Sequence, residues 1–204
     1  VELLVDDFDK LRTLHHKADF LTLAPKSPVH IPDSQLIYTF EEAIQFSKRH
    51  SKCVFKPVYS RFATHTLIDP SERKLAKALQ SKRGEWVGQE FLPGQEFCSY
   101  SVAHEGRLLA HVCYEPVLRA GLGSGIYFIP CNLSEITEFV RLFVMKNKFT
   151  GQIGFDFRVN TSGTFVIDCN PRATSGVHLF KHTYKQLGRA LLGKGLTGEG
   201  ILAT

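Results

Sequence analysis

Two carboxylates and an amide stand in two short segments near the end of this 204-residue chain, Gly154-Phe155-Asp156-Phe157-Arg158 and Val166-Ile167-Asp168-Cys169-Asn170-Pro171-Arg172. Alternation puts Ile153, Phe155, Phe157 and Val159 on one face of a strand, with Gly154, Asp156 and Arg158 on the other. In the second segment Phe165, Ile167 and Cys169 read as the apolar set, opposite Asp168 and Asn170. The linker Asn160-Thr161-Ser162-Gly163 suits a three-residue hairpin loop with Gly163 left-handed, which pairs Asn160 with Thr164 and sets Asp156 across from Asp168. Such neighbours lie about 4.5–5.5 Å apart, and like charges there destabilise a sheet unless something compensates. A divalent cation does so, and oxygen-only ligands suit Mg2+. The same pattern also fits a half-exposed hairpin whose Asp156 and Arg158 are solvated surface charges.

Other residues carry a similar double reading. Lys56 lies in the apolar strand Val54-Phe55-Lys56-Pro57-Val58, where a buried ammonium needs a partner such as phosphate, or else snorkels to water. Lys17, behind His15-His16, reads alone as a surface lysine, and the two histidines lack a third partner at metal-ligand spacing. Gln89 to Phe97 joins two strands through Pro93-Gly94, with Glu90 and Glu96 on either side, and a plain hairpin with solvated acids accounts for it equally. Gly121, Gly123 and Gly125 precede a strand, so they are not a dinucleotide loop, which would open a helix.

The elements that must position these residues follow from pattern. Asp6-Asp7 caps a helix to about His16, a short helical stretch runs from Lys17 to Leu23, and Thr39 with Glu42 forms a capping box for a helix from Phe40 to about Arg49. Strands are expected at 36–38, 53–58, 86–91, 96–103, 108–116 and 126–129, with helices from Ser71 to about Gln80 and from about Val177 to Leu192. Leu133-Ser134 opens an amphipathic helix with Ile136, Phe139, Val140, Phe143 and Val144 on one stripe. Helices beside antiparallel strands argue for an α+β fold.

Composition narrows the class further. A chain with 43% hydrophobic and 22% charged residues is globular, and its sixteen Phe predict a Phe-packed interior. No stretch approaches the roughly 18 apolar residues of a membrane span, and no signal peptide is visible. Five scattered cysteines support neither a disulfide framework nor a zinc site and fit a reducing cytosol. The formal charge of +5 suits an anionic ligand such as a nucleotide, whereas basic residues form no aromatic-interleaved stripe for nucleic acid. The chain starts at Val1 inside an apolar run, which suggests a segment of something longer.

Taken in order, Leu14-His15-His16-Lys17 with Phe20, Val54-Phe55-Lys56-Pro57, Gln89 to Phe97, Gly154-Phe155-Asp156-Phe157 and Ile167-Asp168-Cys169-Asn170-Pro171-Arg172 resemble the ATP-grasp superfamily, its carbamoyl-phosphate-synthase-like members above all. The resemblance implies two α+β lobes, 1–90 and 91–204, with nucleotide between their antiparallel sheets and the metal site in the second. It matches Lys17 and Lys56 to lysines on ATP phosphates, the backbone around Glu90, Phe91 and Leu92 to the adenine-reading hinge, and Glu96 to the ribose acid. It matches Asp156, Asp168 and Asn170 to ligands of Mg2+ or Mn2+, and Arg172, with Lys56, to the cations at the transferred phosphoryl group. Arg119 is a further phosphate or substrate candidate, by position and charge alone.

Two departures stand out. Asp168 occupies a position where the family often has Glu, and the loop from Tyr59 to Thr66 has no Gly where the family's phosphate-covering loop is Gly-rich, leaving Ser60, Arg61 and Thr64 as side-chain substitutes. The preceding domain that completes the substrate site in the family has no counterpart here. The implied activity is an ADP-forming, ATP- and Mg2+-dependent ligation of a small carboxylate, through its acyl phosphate, to an amine or thiol. An ATP-grasp phosphotransferase and a degenerate nucleotide-binding regulatory module are the alternatives.

Overall fold

The computed structural model describes residues 4–25, 27–60, 65–81, 84–120, 124–194 and 201–202. Two sheets organise them. The first has the order β1-β4-β2-β3 and is antiparallel, built from β1 (Ser34–Ile37), β2 (Cys53–Pro57), β3 (Leu67–Ile68) and β4 (Trp86–Glu90). The second has the order β10-β6-β5-β8-β9, with β7 also paired to β6. Its strands are β5 (Gln95–His104), β6 (Arg107–Ala120), β7 (Ser124–Cys131), β8 (Gly151–Asn160), β9 (Gly163–Asn170) and β10 (Ile201–Leu202). All its pairings are antiparallel except that of β10 with β6.

Helices cover both sheets because their apolar stripes have nowhere else to go. On the first sheet, α3 (Phe40–Ser47) and α4 (Glu72–Ser81) bury Ala43, Phe46 and Leu75 against Ile37, Phe55 and Trp86. The expected capping box is present, with the Glu42 N–H donating to Thr39 Oγ1 and the Thr39 N–H to Glu42 Oε2. On one face of the second sheet lies α5 (Ser134–Lys146), whose five stripe residues Ile136, Phe139, Val140, Phe143 and Val144 are all inaccessible. Burying each is worth about 1.5–3 kcal/mol, so this stripe anchors the layer. Edge-to-face contacts of Phe139 with Phe155 at 5.3 Å and with Phe157 at 5.7 Å lock it to β8.

The same core takes in α1 (Phe8–His15) and α2 (Asp19–Leu23), through Leu14, Phe20 and Leu21. These helices precede the first sheet in the chain yet pack on the second. The opposite face of the second sheet carries a 3-10 turn, Ser175–Phe180, and α6 (Tyr184–Leu191). The single helix expected from 177 to 192 is therefore two elements. Tighter winding of the first lets Gly176 and Phe180 both reach Tyr100, the Phe180 ring edge-on at 6.0 Å. The second helix likewise starts at Asp19, and Lys17 lies in the turn before it.

The β8–β9 hairpin corrects one expectation and keeps its consequence. Asn160 pairs with Gly163, not Thr164, so the connection has two residues; Gly163 does take a positive φ of 124°. A bulge between Asp156 and Phe157 then leaves Ile167 out of the ladder, and Asp156 pairs with Asp168 after all. The bulge also switches the alternation. Thr164, Val166 and Cys169 are buried, whereas Phe165 and Ile167, expected in the apolar set, are only half-buried. Among the described residues no helix is long and apolar enough to cross a membrane.

Candidate active site between the two sheets

A cavity of about 310 Å3 opens where the first sheet faces β5, β8 and β9 of the second. Its walls include Lys17, Lys56, Glu90, Phe91, Leu92, Glu96, Asp156, Asp168, Asn170 and Arg172, so the residues that the resemblance matched to nucleotide, metal and phosphoryl group lie on one surface. Of the Gly-free loop, Ser60 and Thr66 also line it, while Arg61 and Thr64 lie outside the described residues.

The acid pair is electrostatically unequal. Burial, followed by the facing Asp168 charge, pushes Asp156 up to about 6. Burial would raise Asp168 too, but the ammonium groups of Lys17 and Lys56 outweigh it and hold that carboxyl below its ordinary value. The geometry matches: Lys17 Nζ donates to Asp168 Oδ2 at 2.6 Å, and the Cys169 N–H donates to Oδ1 at 3.0 Å. Lys17 is therefore no surface lysine; it is 6% exposed.

Lys56, 7% exposed, donates to Gln89 Oε1 at 3.2 Å and to the Ile167 carbonyl at 2.9 Å. That carbonyl belongs to the residue the bulge leaves out of the ladder, so the irregularity supplies the lysine's acceptor. Lys56 reaches from the first sheet to the second and thus ties them at the site. Burial lowers its pKa to about 8, with Asp168 pulling the other way.

Asn170 and Arg172 extend the polar row. Asn170 Nδ2 donates to Asp156 Oδ2 at 3.3 Å, and Arg172 Nη2 donates to Asn170 Oδ1 at 2.9 Å. Arg172 Nε is buried with no partner among the described residues, a donor that an incoming anionic oxygen would satisfy. No cluster of three or more His, Cys, Asp or Glu suited to a metal occurs among those residues. A cation at this site would have two carboxylates and one amide oxygen from protein, leaving the rest to water or phosphate; that donor set fits Mg2+.

At the other end, the chain between β4 and β5 is pinned from both sides. The Glu90 N–H donates to the Asp33 carbonyl at 3.0 Å, the Asp33 N–H donates to Glu90 Oε1 at 2.9 Å, and the Phe91 N–H donates to the Lys52 carbonyl at 3.0 Å. Among the described residues nothing accepts the Leu92 N–H, which leaves it available to a ligand at the cavity wall. Glu96 has both carboxylate oxygens engaged, Oε1 by Arg119 at 2.6 Å and Oε2 by Arg158 at 2.9 Å. Arg158, readable as a surface charge, is part of this clamp.

Several wall residues escaped the sequence reading. Gln89, 3% exposed, holds Lys56 and donates from Nε2 to Ser34 Oγ at 3.0 Å. A buried amide paired in register with the lysine strand was the available signal. Tyr114 and Thr174, whose hydroxyls lie 3.4 Å apart at the cavity wall, gave none, because they come from distant segments.

Comparison with known proteins agrees with the geometry. A family model described as "ATP-grasp domain" matches residues 20–176. No curated protein matches by sequence. Among solved structures, the biotin carboxylase domain of Hydrogenobacter thermophilus 2-oxoglutarate carboxylase, in complex with MgADP, ADP and bicarbonate, superposes with a TM-score of 0.76 at 12% identity, over 94% of this chain and 48% of that one. N5-carboxyaminoimidazole synthase from Aspergillus clavatus, with ADP bound, gives 0.74 at 12% identity over 96% and 56%. An L-amino acid ligase from Bacillus licheniformis gives 0.64 at 19% identity over 91% and 49%. These likenesses establish a shared fold, and the chain spans about half the length of the structures it matches.

Proposed function

The chain belongs to the ATP-grasp family, and on that premise we propose that it is the nucleotide-binding core of an ADP-forming ligase that activates a carboxylate as an acyl phosphate. The observation that carries this reading is the Asp156–Asp168 pair, set opposite one another at the cavity with Lys17 and Lys56 converging on the same strand. The neighbours with ADP in their complexes support the nucleotide.

The residues divide the work. The unpartnered Leu92 N–H reads the adenine edge, and Glu96 meets the ribose hydroxyls from within its arginine clamp. Lys17, held by Asp168, and Lys56, held by Gln89 and the Ile167 carbonyl, each direct a remaining N–H to phosphate oxygens. Asp156, Asp168 and Asn170 would hold Mg2+, which would neutralise phosphate charge and offset the burial and the Asp168 repulsion that raise Asp156. Arg172 and Lys56 stabilise the phosphoryl group as it passes to the carboxylate, and an amine or thiol then displaces phosphate. No protein nucleophile is needed. The lobes in this reading are the first sheet with its two helices and the second sheet with everything packed on it, including α1 and α2.

The test is ADP release by the full-length protein given Mg-ATP and a panel of carboxylates and amines, with hydroxylamine added to trap an acyl phosphate as its hydroxamate. Hydroxamate formation with carboxylate-dependent ADP release is the expected result. ADP with a stable phosphate ester would favour a phosphotransferase, and nucleotide binding without turnover would favour a regulatory module.

A further inference from the structure

Outside the candidate site, one pair of reactive groups stands in contact. Cys113 in β6 and Cys131 at the end of β7 are direct cross-strand partners, and their sulfurs are 3.3 Å apart. Residues opposite one another in an antiparallel pair have Cα atoms about 4.5–5.5 Å apart, within the span a disulfide accepts. Both thiols are free in the structure. Cys113 is 3% exposed, while Cys131 is half-buried and so reachable from solvent.

In the neutral pair either thiol can donate to the other. Once one ionises, charge settles on the more exposed sulfur. The hydrogen bond from Cys113 holds the Cys131 thiol below its ordinary value despite partial burial, while donating that bond, together with burial, raises Cys113. The three remaining cysteines are buried, and burial raises each of them. Only the hairpin pair combines an accessible sulfur with a second sulfur in contact.

We propose that Cys113 and Cys131 are a thiol–disulfide exchange site that closes a reversible cross-strand disulfide at the expense of a small-molecule disulfide. The Cys131 thiolate attacks one sulfur of that disulfide, forming a mixed disulfide and releasing one thiolate. The Cys113 sulfur then attacks the Cys131 sulfur, its proton passing to the second leaving thiolate. Two protein thiols are oxidised, one small disulfide is reduced to two thiols, and no other oxidant enters.

The location gives the bond something to act on. Tyr114, next to Cys113, packs edge-on against Phe128 of β7 at 5.3 Å, and both line the cavity. A bond at 113–131 pins the edge strand β7 to β6 beside this wall, so it stiffens the strand pair that carries Tyr114 and Phe128.

The test incubates the folded chain with oxidised glutathione, blocks residual thiols after denaturation, and maps the peptides by mass. The expected result is loss of two of the five thiols, a peptide linking Cys113 to Cys131, and full recovery with dithiothreitol. Cys113→Ser should retain glutathione on Cys131, and Cys131→Ser should take up none at Cys113. Retention of all five wild-type thiols, a stable wild-type glutathione adduct, or linkage through Cys53, Cys98 or Cys169 would overturn the proposal. The wild-type mapping decides it even if neither variant folds.

Discussion

Asp156 and Asp168 face one another across the β8–β9 ladder only because Ile167 is left over from it. The two-residue turn sets a register in which Asp156 would meet Ile167, and the bulge restores the acid pair. The surplus residue is not idle, since its carbonyl accepts from Lys56 at 2.9 Å. One irregularity thus fixes the carboxylates and ties the buried lysine of the other sheet to them.

Deleting Ile167 separates these two roles. The hairpin then closes without a bulge and keeps the aspartates opposite, but Lys56 loses its carbonyl. A hydrogen bond to a charged group is worth about 1.5–3 kcal/mol, so ATP affinity should fall roughly 10- to 100-fold. Titration calorimetry checks it; unchanged affinity would mean the bulge carbonyl does not position Lys56.

Asp156 sets a pH dependence whose sign follows from its raised pKa. Its neutral form is the one the fold favours, so its contribution to stability is fully present below about pH 4 and is lost as pH rises through about 6. Asp156→Asn should therefore gain on wild type by on the order of 1–3 kcal/mol between pH 4 and 7 without divalent cation. Millimolar Mg2+ should narrow or reverse the gain. Denaturant unfolding at the two pH values measures both.

Lys56, lowered to about 8, is partly neutral at that pH and must be protonated to meet phosphate. ATP binding at pH 8 should take up a fraction of a proton, visible as an enthalpy that varies with buffer ionisation. Affinity should fall up to about 10-fold from pH 7 to 9, and Lys56→Met should abolish both effects. A buffer-independent enthalpy in wild type would count against this lysine.

Much of this was legible in the chain because it follows local rules. The α5 stripe, the capping box of α3 and the alternation of β8 each depend on neighbours a few residues away. The β9 faces were misread because the bulge depends on the register of the partner strand and on the Lys56 contact, neither of which alternation records. The arginine clamp on Glu96 and the Tyr114–Thr174 contact were invisible for a similar reason. They join segments about 20 to 60 residues apart, and only the closed sheet brings them together.

Gly154 marks a close approach beside the acid pair. A Cβ there would lie 2.7 Å from Thr174 Cγ2 and 2.8 Å from the Ser99 carbonyl oxygen. Because one neighbour is backbone, Gly154→Ala should destabilise by about 1–3 kcal/mol and displace the segment around Thr174, after β9, from the cavity wall. Thermal unfolding and ATP titration should both register it.

The roles assigned to this cavity all depend on Asp156 and Asp168 holding the cation that accompanies ATP. The most direct measurement of this is ATP affinity by calorimetry, with and without Mg2+, for wild type and Asp168→Ala. Wild type should bind ATP in a Mg2+-dependent way, and affinity should fall at least about 100-fold in the variant through the loss of one ligand and of the partner of Lys17. Undiminished, Mg2+-dependent binding by Asp168→Ala would contradict it.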